Sequence, residues 1–227
     1  MVLKPVKVVR EGLGQQVANA VREAIVRGDY AAGHRLVETE LAEALQVSRG
    51  PVRDGLRLLE AEGLVAKRGQ SVVVLSLTDR DIDELYSLRG ALESLALSIT
   101  MAAGEPADLK GLREIVREMH RAARNVDTVA FALADVEFHS SLCDLSHHRR
   151  LASVWRQYQP ILTALLKVTV LVDDDLIATT AKHSLLLDLV EAGDSQVALD
   201  ELADHLDGSH DRMLEAWRRM SLEQQQA

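Results

Sequence analysis

A single cysteine, Cys143, occurs in 227 residues, which excludes an internal disulfide framework and a zinc finger built on cysteines and fits a reducing compartment. Aromatic residues are scarce, at 3% of the chain. No apolar run approaches the roughly 20 residues that a membrane span requires, so no membrane partner is expected. The opening stretch MVLKPVKVVR is basic but has no apolar signal core, so a cytoplasmic location is expected. What abounds instead is Ala, Leu, Val, Arg and Glu with helical periodicity along most of the length. That pattern predicts a mainly α protein, and the length suits one large domain or two small ones.

The net charge of −9 is unevenly spread. Residues 1 to 75 hold 11 Lys+Arg and 9 Asp+Glu, a balance of +2, while the remaining 15 and 26 give −11. A mildly basic segment is joined to an acidic remainder, so any anionic polymer is expected on the first part.

The basic segment reads as helix, helix, helix and hairpin. Gln15 to Arg27 carries an apolar stripe at Val17, Ala20, Val21, Ala24 and Ile25, and Gly28 ends it as a C′ glycine would. The loop DYAAGHRL follows. Glu38 to Leu45 forms a second helix, Gln46 and Val47 a tight turn, and Ser48 the N-cap of a third helix that reaches about Glu62. Two β-prone runs, Leu64 to Ala66 and Ser71 to Leu75, flank Lys67, Arg68, Gly69 and Gln70 as a hairpin. Beyond Thr78 only helices are expected, over 79–103, 107–124, 127–145, 148–171, 174–192 and 194–219. The separators GEPAD, NVD, SHH, VDDD and AGD supply turns and caps. The expected domains are therefore a winged helix-turn-helix over 1–77, an antiparallel all-α bundle over 78–220 and a frayed polar tail over 221–227.

In a helix-turn-helix the second helix enters the major groove and its N-terminal residues meet base edges. Ser48, Arg49 and Gly50 occupy that N-terminus, Arg53 lies one turn on, and Arg57 continues the row. Arginine suits bidentate contact with guanine, and a helix N-terminus suits phosphate. Val52, Leu56 and Leu59 make the opposite, core-facing stripe. The run LVETELAEALQVSRGPVRDGLRLLEAEGLV resembles the winged helix-turn-helix of the GntR transcription factors, matching at Leu36, Glu38, Leu41, Ala42, Ser48, Arg49, Pro51, Val52, Arg53, Leu56, Gly63 and Leu64 among others. Gly50 stands where Thr is usual, and Asp54 and Gly55 replace Glu and Ala. By propensity Gly55 weakens the helix by about 1 kcal/mol. The resemblance implies that Arg49 and Arg53 read bases, Ser48 contacts phosphate, and Gly69 forms the tip of a wing in which Arg68 also faces DNA.

A second constellation begins at ADVEFHSSL. Asp135 and His139 lie four residues apart on a helix, on the face of Phe131, Phe138 and Leu142, so a carboxylate and an imidazole point inward and need partners. His183 shares a face with Leu176, Leu187 and Val190, and His205 lies beside Leu202 and Leu206. On the helix 79–103, Arg89 interrupts a stripe of Ile82, Leu85, Leu92, Ala96 and Ile99. Its partner is either Glu93, one turn away, or an acidic group from a second subunit, or a carboxylate effector gripped by the guanidinium fork. The helical remainder resembles the ligand-binding (FCD) domain of the FadR branch of the same family, in its six-helix variant. That resemblance implies that Asp135, His139, His183 and His205 hold a divalent metal ion, and that the effector is a small organic acid or sugar acid. Three imidazoles and a carboxylate suit zinc, nickel, manganese or iron alike, and zinc is the first expectation among them.

Together these features predict a ligand-responsive DNA-binding regulator, in the repressor mode, that acts as a homodimer on a two-fold double-stranded operator. A metal sensor and a metal-dependent hydrolase fused to a DNA-binding head are the competing readings. No motif supplies the base and the transition-state donors that hydrolysis needs, so an enzyme is not expected.

Overall fold

The computed structural model describes residues 12–75, 77–103, 109–170 and 175–226. The expectations for the basic N-terminus, the GEPAD turn and VDDD up to residue 174 lie outside the described residues. The chain divides into two compact units, Met1–Ser76 and Leu77–Ala227.

The first unit runs α1 (Leu13–Arg27), β1 (Arg35–Leu36), α2 (Glu38–Ala44), α3 (Arg49–Ala61), β2 (Val65–Arg68) and β3 (Ser71–Val74). Helix α1 packs on α3, and the buried residues Val17, Val21 and Ile25 of the one and Val52, Leu56 and Leu59 of the other keep the 3.6-residue period. Ala20, expected in the α1 stripe, is exposed, and Arg22 is buried instead. A buried guanidinium needs acceptors, and Arg22 finds them in Glu62 through Nε and Nη2, both at 2.6 Å, and in Asn19 Oδ1 through Nη1 at 2.7 Å.

Gly55 also has a role that propensity hides. A Cβ there would lie 2.8 Å from Val17 Cγ1 and 2.9 Å from the Gly14 carbonyl oxygen. The glycine that weakens α3 as an isolated helix is what lets α1 approach it.

Part of the expected loop DYAAGHRL is a strand. Arg35 pairs antiparallel with Val73 and Leu36 with Val72, which turns the hairpin into a three-stranded sheet of order β1-β3-β2. A two-residue strand has no periodicity to read, and only its cross-strand bonds define it.

The second unit contains α4 (Asp79–Ala102), α5 (Lys110–Arg124), α6 (Thr128–Leu145), α7 (Arg149–Thr169), α8 (Leu176–Ala192) and α9 (Ser195–Gln226). Among the described residues, side chains cap five of these helices, with His148 Nδ1 accepting from the Leu151 amide on α7 at 3.1 Å. Thr78 and Asp81 form a reciprocal capping box on α4, and Asp127, Asp175 and Asp194 accept from the first-turn amides of Ala130, Ala178 and Val197. Helix α6 packs against α4, α5 and α7, while α9 packs against α4, α7 and α8. The expected polar tail from residue 221 is not a separate segment, because α9 continues to Gln226.

Candidate nucleic-acid face and metal centre

In the first unit, Arg49 opens α3 and Arg53 follows one turn later, with side chains 57% and 52% exposed. Arg57 is exposed as well and lies 3.4 Å from Asp54, one of the positions that depart from the GntR pattern. Ser48 sits at the N-cap of α3, but its side chain makes no capping hydrogen bond. Gly50 is exposed, and a Cβ there would meet nothing within 4 Å. Packing therefore does not require glycine at this position. Arg68 ends β2, and Gly69 follows with φ +62°, the left-handed conformation that a tight wing turn needs.

In the second unit, the inward face of α4 is made by Ile82, Tyr86, Arg89, Glu93, Ala96, Leu97 and Thr100. Leu85, Leu92 and Ile99, expected in the stripe, are only half-buried. The face is centred on Arg89 and Glu93, whose side chains are 2% and 0% exposed. Arg89 Nε donates to Glu93 Oε1 at 2.8 Å, and the other carboxylate oxygen lies 2.5 Å from His139 Nδ1. Arg89 Nη1, also buried, makes no hydrogen bond. The guanidinium carbon lies 5.4 Å from the centre of the Tyr86 ring.

The three histidines of the second constellation converge. One nitrogen from each of His139, His183 and His205 lies within 4.8 Å of the others, and all three residues are buried. His139 Nε2 is 3.3 Å from His205 Nε2 and 4.0 Å from Asp135 Oδ2. His183 Nε2 is 3.2 Å from Asp135 Oδ1, yet it makes no hydrogen bond, and neither does His205 Nδ1. Phe138 packs edge-on against His139 and His183, which holds the rings between apolar walls.

Bonding on the far side of two rings sets their tautomers. His183 Nδ1 donates to the Thr179 carbonyl at 2.9 Å and His139 Nδ1 to Glu93. With Nδ1 carrying the proton, each neutral ring turns an Nε2 lone pair toward the cluster. Burial, followed by the charge of Arg89, lowers the His139 pKa. Burial and the neighbouring His183 and His139 lower that of His205 well below its usual value. Burial pushes the Asp135 carboxyl up, but the neighbouring His183 and His139 and the Arg89 guanidinium outweigh it and hold Asp135 well below the usual carboxylate range. Burial likewise raises Glu93, and His139 and Arg89 more than reverse the effect.

Neutral imidazoles beside an ionised carboxylate are the protonation states that a divalent cation requires. Ligands about 2.0–2.2 Å from a tetrahedral ion stand about 3.3–3.6 Å apart; the closest contacts in the cluster, at 3.2 and 3.3 Å, lie near that spacing, and the wider ones at 4.0 Å and up to 4.8 Å do not. The three buried histidines could therefore hold a metal ion, and the Glu93 carboxylate and Thr179 carbonyl behind two of them are the kind of outer contact such ligands use. Cys143, four residues past His139, belongs instead to the apolar cluster with Ala96, Leu151, Trp155 and Leu162, and burial pushes its thiol pKa up.

Residues 13–74 match the description "Bacterial regulatory proteins, gntR family", and residues 84–208 match "FCD domain". The chain belongs to the GntR family, with an FCD domain. It is thus a DNA-binding transcription regulator and not an enzyme. This GntR protein is 35% identical over 142 residues to the uncharacterised HTH-type transcriptional regulator YdhC of Bacillus subtilis, a match spanning 61% of the chain and 63% of YdhC. It is 25% identical over 209 residues to the gluconate operon transcriptional repressor of the same organism, across 90% of the chain and 86% of that protein. Among solved structures, a GntR-type regulator from Rhodococcus sp. RHA1 superposes with a TM-score of 0.68 at 27% identity, covering 89% of this chain and 98% of that one. No described helix of this GntR protein is long and apolar enough to cross a membrane.

His139, His183 and His205 lie together, and Asp135 adjoins them at 3.2 Å from His183 and 4.0 Å from His139. Arg89 does not point a bare fork into the cluster, because it is committed to Glu93. Three participants escaped the sequence reading. In the sequence Glu93 stands out only as a partner for Arg89, Thr179 looks like any helical threonine, and Tyr86 carries no signal. The spacing 82, 86, 89, 93, 96 would have found the Glu93 face had charged residues been admitted to a buried stripe.

Proposed function

We propose that this GntR regulator represses a metabolic operon and responds to a small carboxylate or sugar acid bound in its C-terminal bundle. It acts in the cytoplasm as a homodimer on a two-fold operator. Ser48, Arg49, Gly50, Arg53, Arg57, Arg68 and Gly69 face the DNA. Asp135, His139, His183 and His205 hold a divalent metal, with zinc first and nickel, manganese or iron as alternatives. The observation that carries the reading is the convergence of three buried histidines on an ionised carboxylate, with His183 Nε2 and His205 Nδ1 lacking hydrogen bonds. An unbonded buried nitrogen is costly unless something occupies the site.

The metal would supply a Lewis-acidic anchor for an acid's oxygen. Arg89 Nη1, buried and without a hydrogen bond, offers a donor to the same anion once Glu93 has engaged Nε. The gluconate operon repressor among the relatives supports a sugar-acid effector and the repressing mode. A cavity of about 30 Å³ adjoins the cluster, lined by Asp135, Thr179, His205, Ser209 and Arg212 among others. That is room for about one water, so a multi-carbon acid enters only if the bundle opens. An effector that binds the open arrangement better than the closed one shifts the population between them, and this difference in affinity is what links binding to the operator.

The small cavity also favours a second reading, in which the metal itself is the signal. Elemental analysis of the purified protein, a thermal-shift screen of sugar acids and operator titration separate the two. An acid that raises the melting temperature only in metal-loaded protein, and releases DNA, supports the first. Metal-dependent DNA binding that no acid alters supports the second. A protein with no bound metal at any stage sinks both. Arg49→Ala should abolish preference for the specific site, and a variant that still discriminates against random DNA removes α3 from the reading role.

A further inference from the structure

Glu38, the first residue of α2, lies against the two arginines at the start of α3. Its Oε2 accepts a hydrogen bond from Arg53 Nε at 2.8 Å and a longer one from Arg49 Nη2 at 3.4 Å. The Glu38 side chain is 31% exposed, so DNA docked on α3 would meet it. The bond from Arg53 lowers the Glu38 pKa, against the opposing effect of burial and with further help from Arg49, and the carboxylate is ionised at neutral pH. An anion placed among groups that meet phosphates weakens binding to every sequence alike, so its presence on this face calls for a compensating role.

We propose that Glu38 is a specificity-determining residue of the DNA face, which positions Arg53 and Arg49 for base edges and restrains them from phosphate. The inference rests on α3 being the reading helix. The Arg53 bond uses Nε, the donor nearest the stem, so the terminal Nη groups remain available for the fork that grips guanine O6 and N7. An arginine held from behind loses less side-chain freedom when it docks. A carboxylate beside it also lowers the attraction of the whole face for phosphate, which penalises random DNA more than a site where the base contacts are made. Exposed ion pairs add little to folding, so the fold should tolerate substitution of Glu38.

The test uses the full-length protein and a duplex enriched from a random-sequence pool by the wild type, titrated beside a random duplex across a salt series. In Glu38→Gln and Glu38→Ala, affinity for the random duplex should rise, and preference for the enriched duplex should fall by about tenfold. The melting temperature should not change. A merely structural role would weaken binding to both duplexes together. A preference that stays within about threefold of wild type in either variant overturns the proposal, and a larger loss supports it. Arg53→Ala in the same titration separates the two levels. If Arg53→Ala keeps the preference, the reading-helix assignment fails and takes Glu38 with it. If Arg53→Ala loses it while the Glu38 variants keep it, only the role of Glu38 is lost.

Discussion

Arg89 and Glu93, one turn apart on α4, form an ion pair at 2.8 Å inside the bundle, and the second oxygen of Glu93 lies 2.5 Å from His139 Nδ1. The relay connects a permanent cation to a candidate metal ligand through a single carboxylate. Removing the carboxylate strands a buried guanidinium and an imidazole N–H together. Glu93→Ala should destabilise the metal-free protein by about 3–5 kcal/mol. Glu93→Gln, which keeps an acceptor, should cost less stability but reduce metal affinity by about 10–100-fold. Urea unfolding with chelator and a competitive metal titration measure the two effects. Unchanged metal affinity in Glu93→Gln would show that Glu93 does not orient His139.

Metal bound by the folded chain and not by the unfolded one stabilises the bundle by mass action. At one hundred times the dissociation constant the gain is about 2.7 kcal/mol, or roughly 5–10 °C in melting temperature for a unit of this size. Chelation should remove that gain and zinc should restore it, while His183→Ala should melt at the same temperature with and without zinc. A zinc-dependent shift that survives in His183→Ala would place the ion elsewhere.

The histidine cluster also imposes a pH dependence on the metal-free protein. The pKa values of His139 and His205 are lowered in the fold from the ordinary 6.5. Below about pH 6.5 the unfolded chain therefore takes up protons that the folded chain refuses. Stability should be full above that value and fall as the pH drops through 6.5 toward the lowered values. In thermal melts with chelator between pH 7.5 and 5.5, His205→Leu should show a shallower decline than wild type. An identical decline would assign the effect to other groups.

At Gly55, helix propensity and packing give opposite signs. Alanine is worth about 1 kcal/mol more than glycine in a helix interior, but its Cβ would stand 2.9 Å from the Gly14 carbonyl oxygen and 2.8 Å from Val17 Cγ1. Backbone cannot yield as a side-chain tip does, so Gly55→Ala should be net destabilising by about 1–3 kcal/mol. Denaturant unfolding of the residue 12–75 transition checks it, and a gain in stability would mean that α1 moves aside without cost.

Much of the helical order was legible because period and punctuation act locally. Asp127 and Asp175 cap the helices whose starts they signalled, and Phe131, Asp135, Phe138, His139 and Leu142 share one buried face because residues three and four apart on a helix must. Strand β1 was not legible, since two residues carry no period and depend on Val72 and Val73 far along the chain. The buried Arg22 was missed for a related reason, as its carboxylate partner lies 40 residues away.

The sequence by itself determined which side chains enter the two candidate sites: Arg49 and Arg53 on one basic helix, and the inward-facing Asp135, His139, His183 and His205. Helical spacing sets their faces, and the resemblance to the GntR and FCD patterns implies their roles. Only the tertiary structure decided how those groups are held. The Nε2 atoms of His139 and His183 turn into the cluster because Glu93 and the Thr179 carbonyl accept hydrogen bonds from their Nδ1–H groups. Arg89 is tied to Glu93, and Glu38 binds the arginines of α3 from a different helix. Glu93 with His139 and Glu38 with the arginines join separate elements of one unit, and distances between elements arise from packing, which no local pattern encodes.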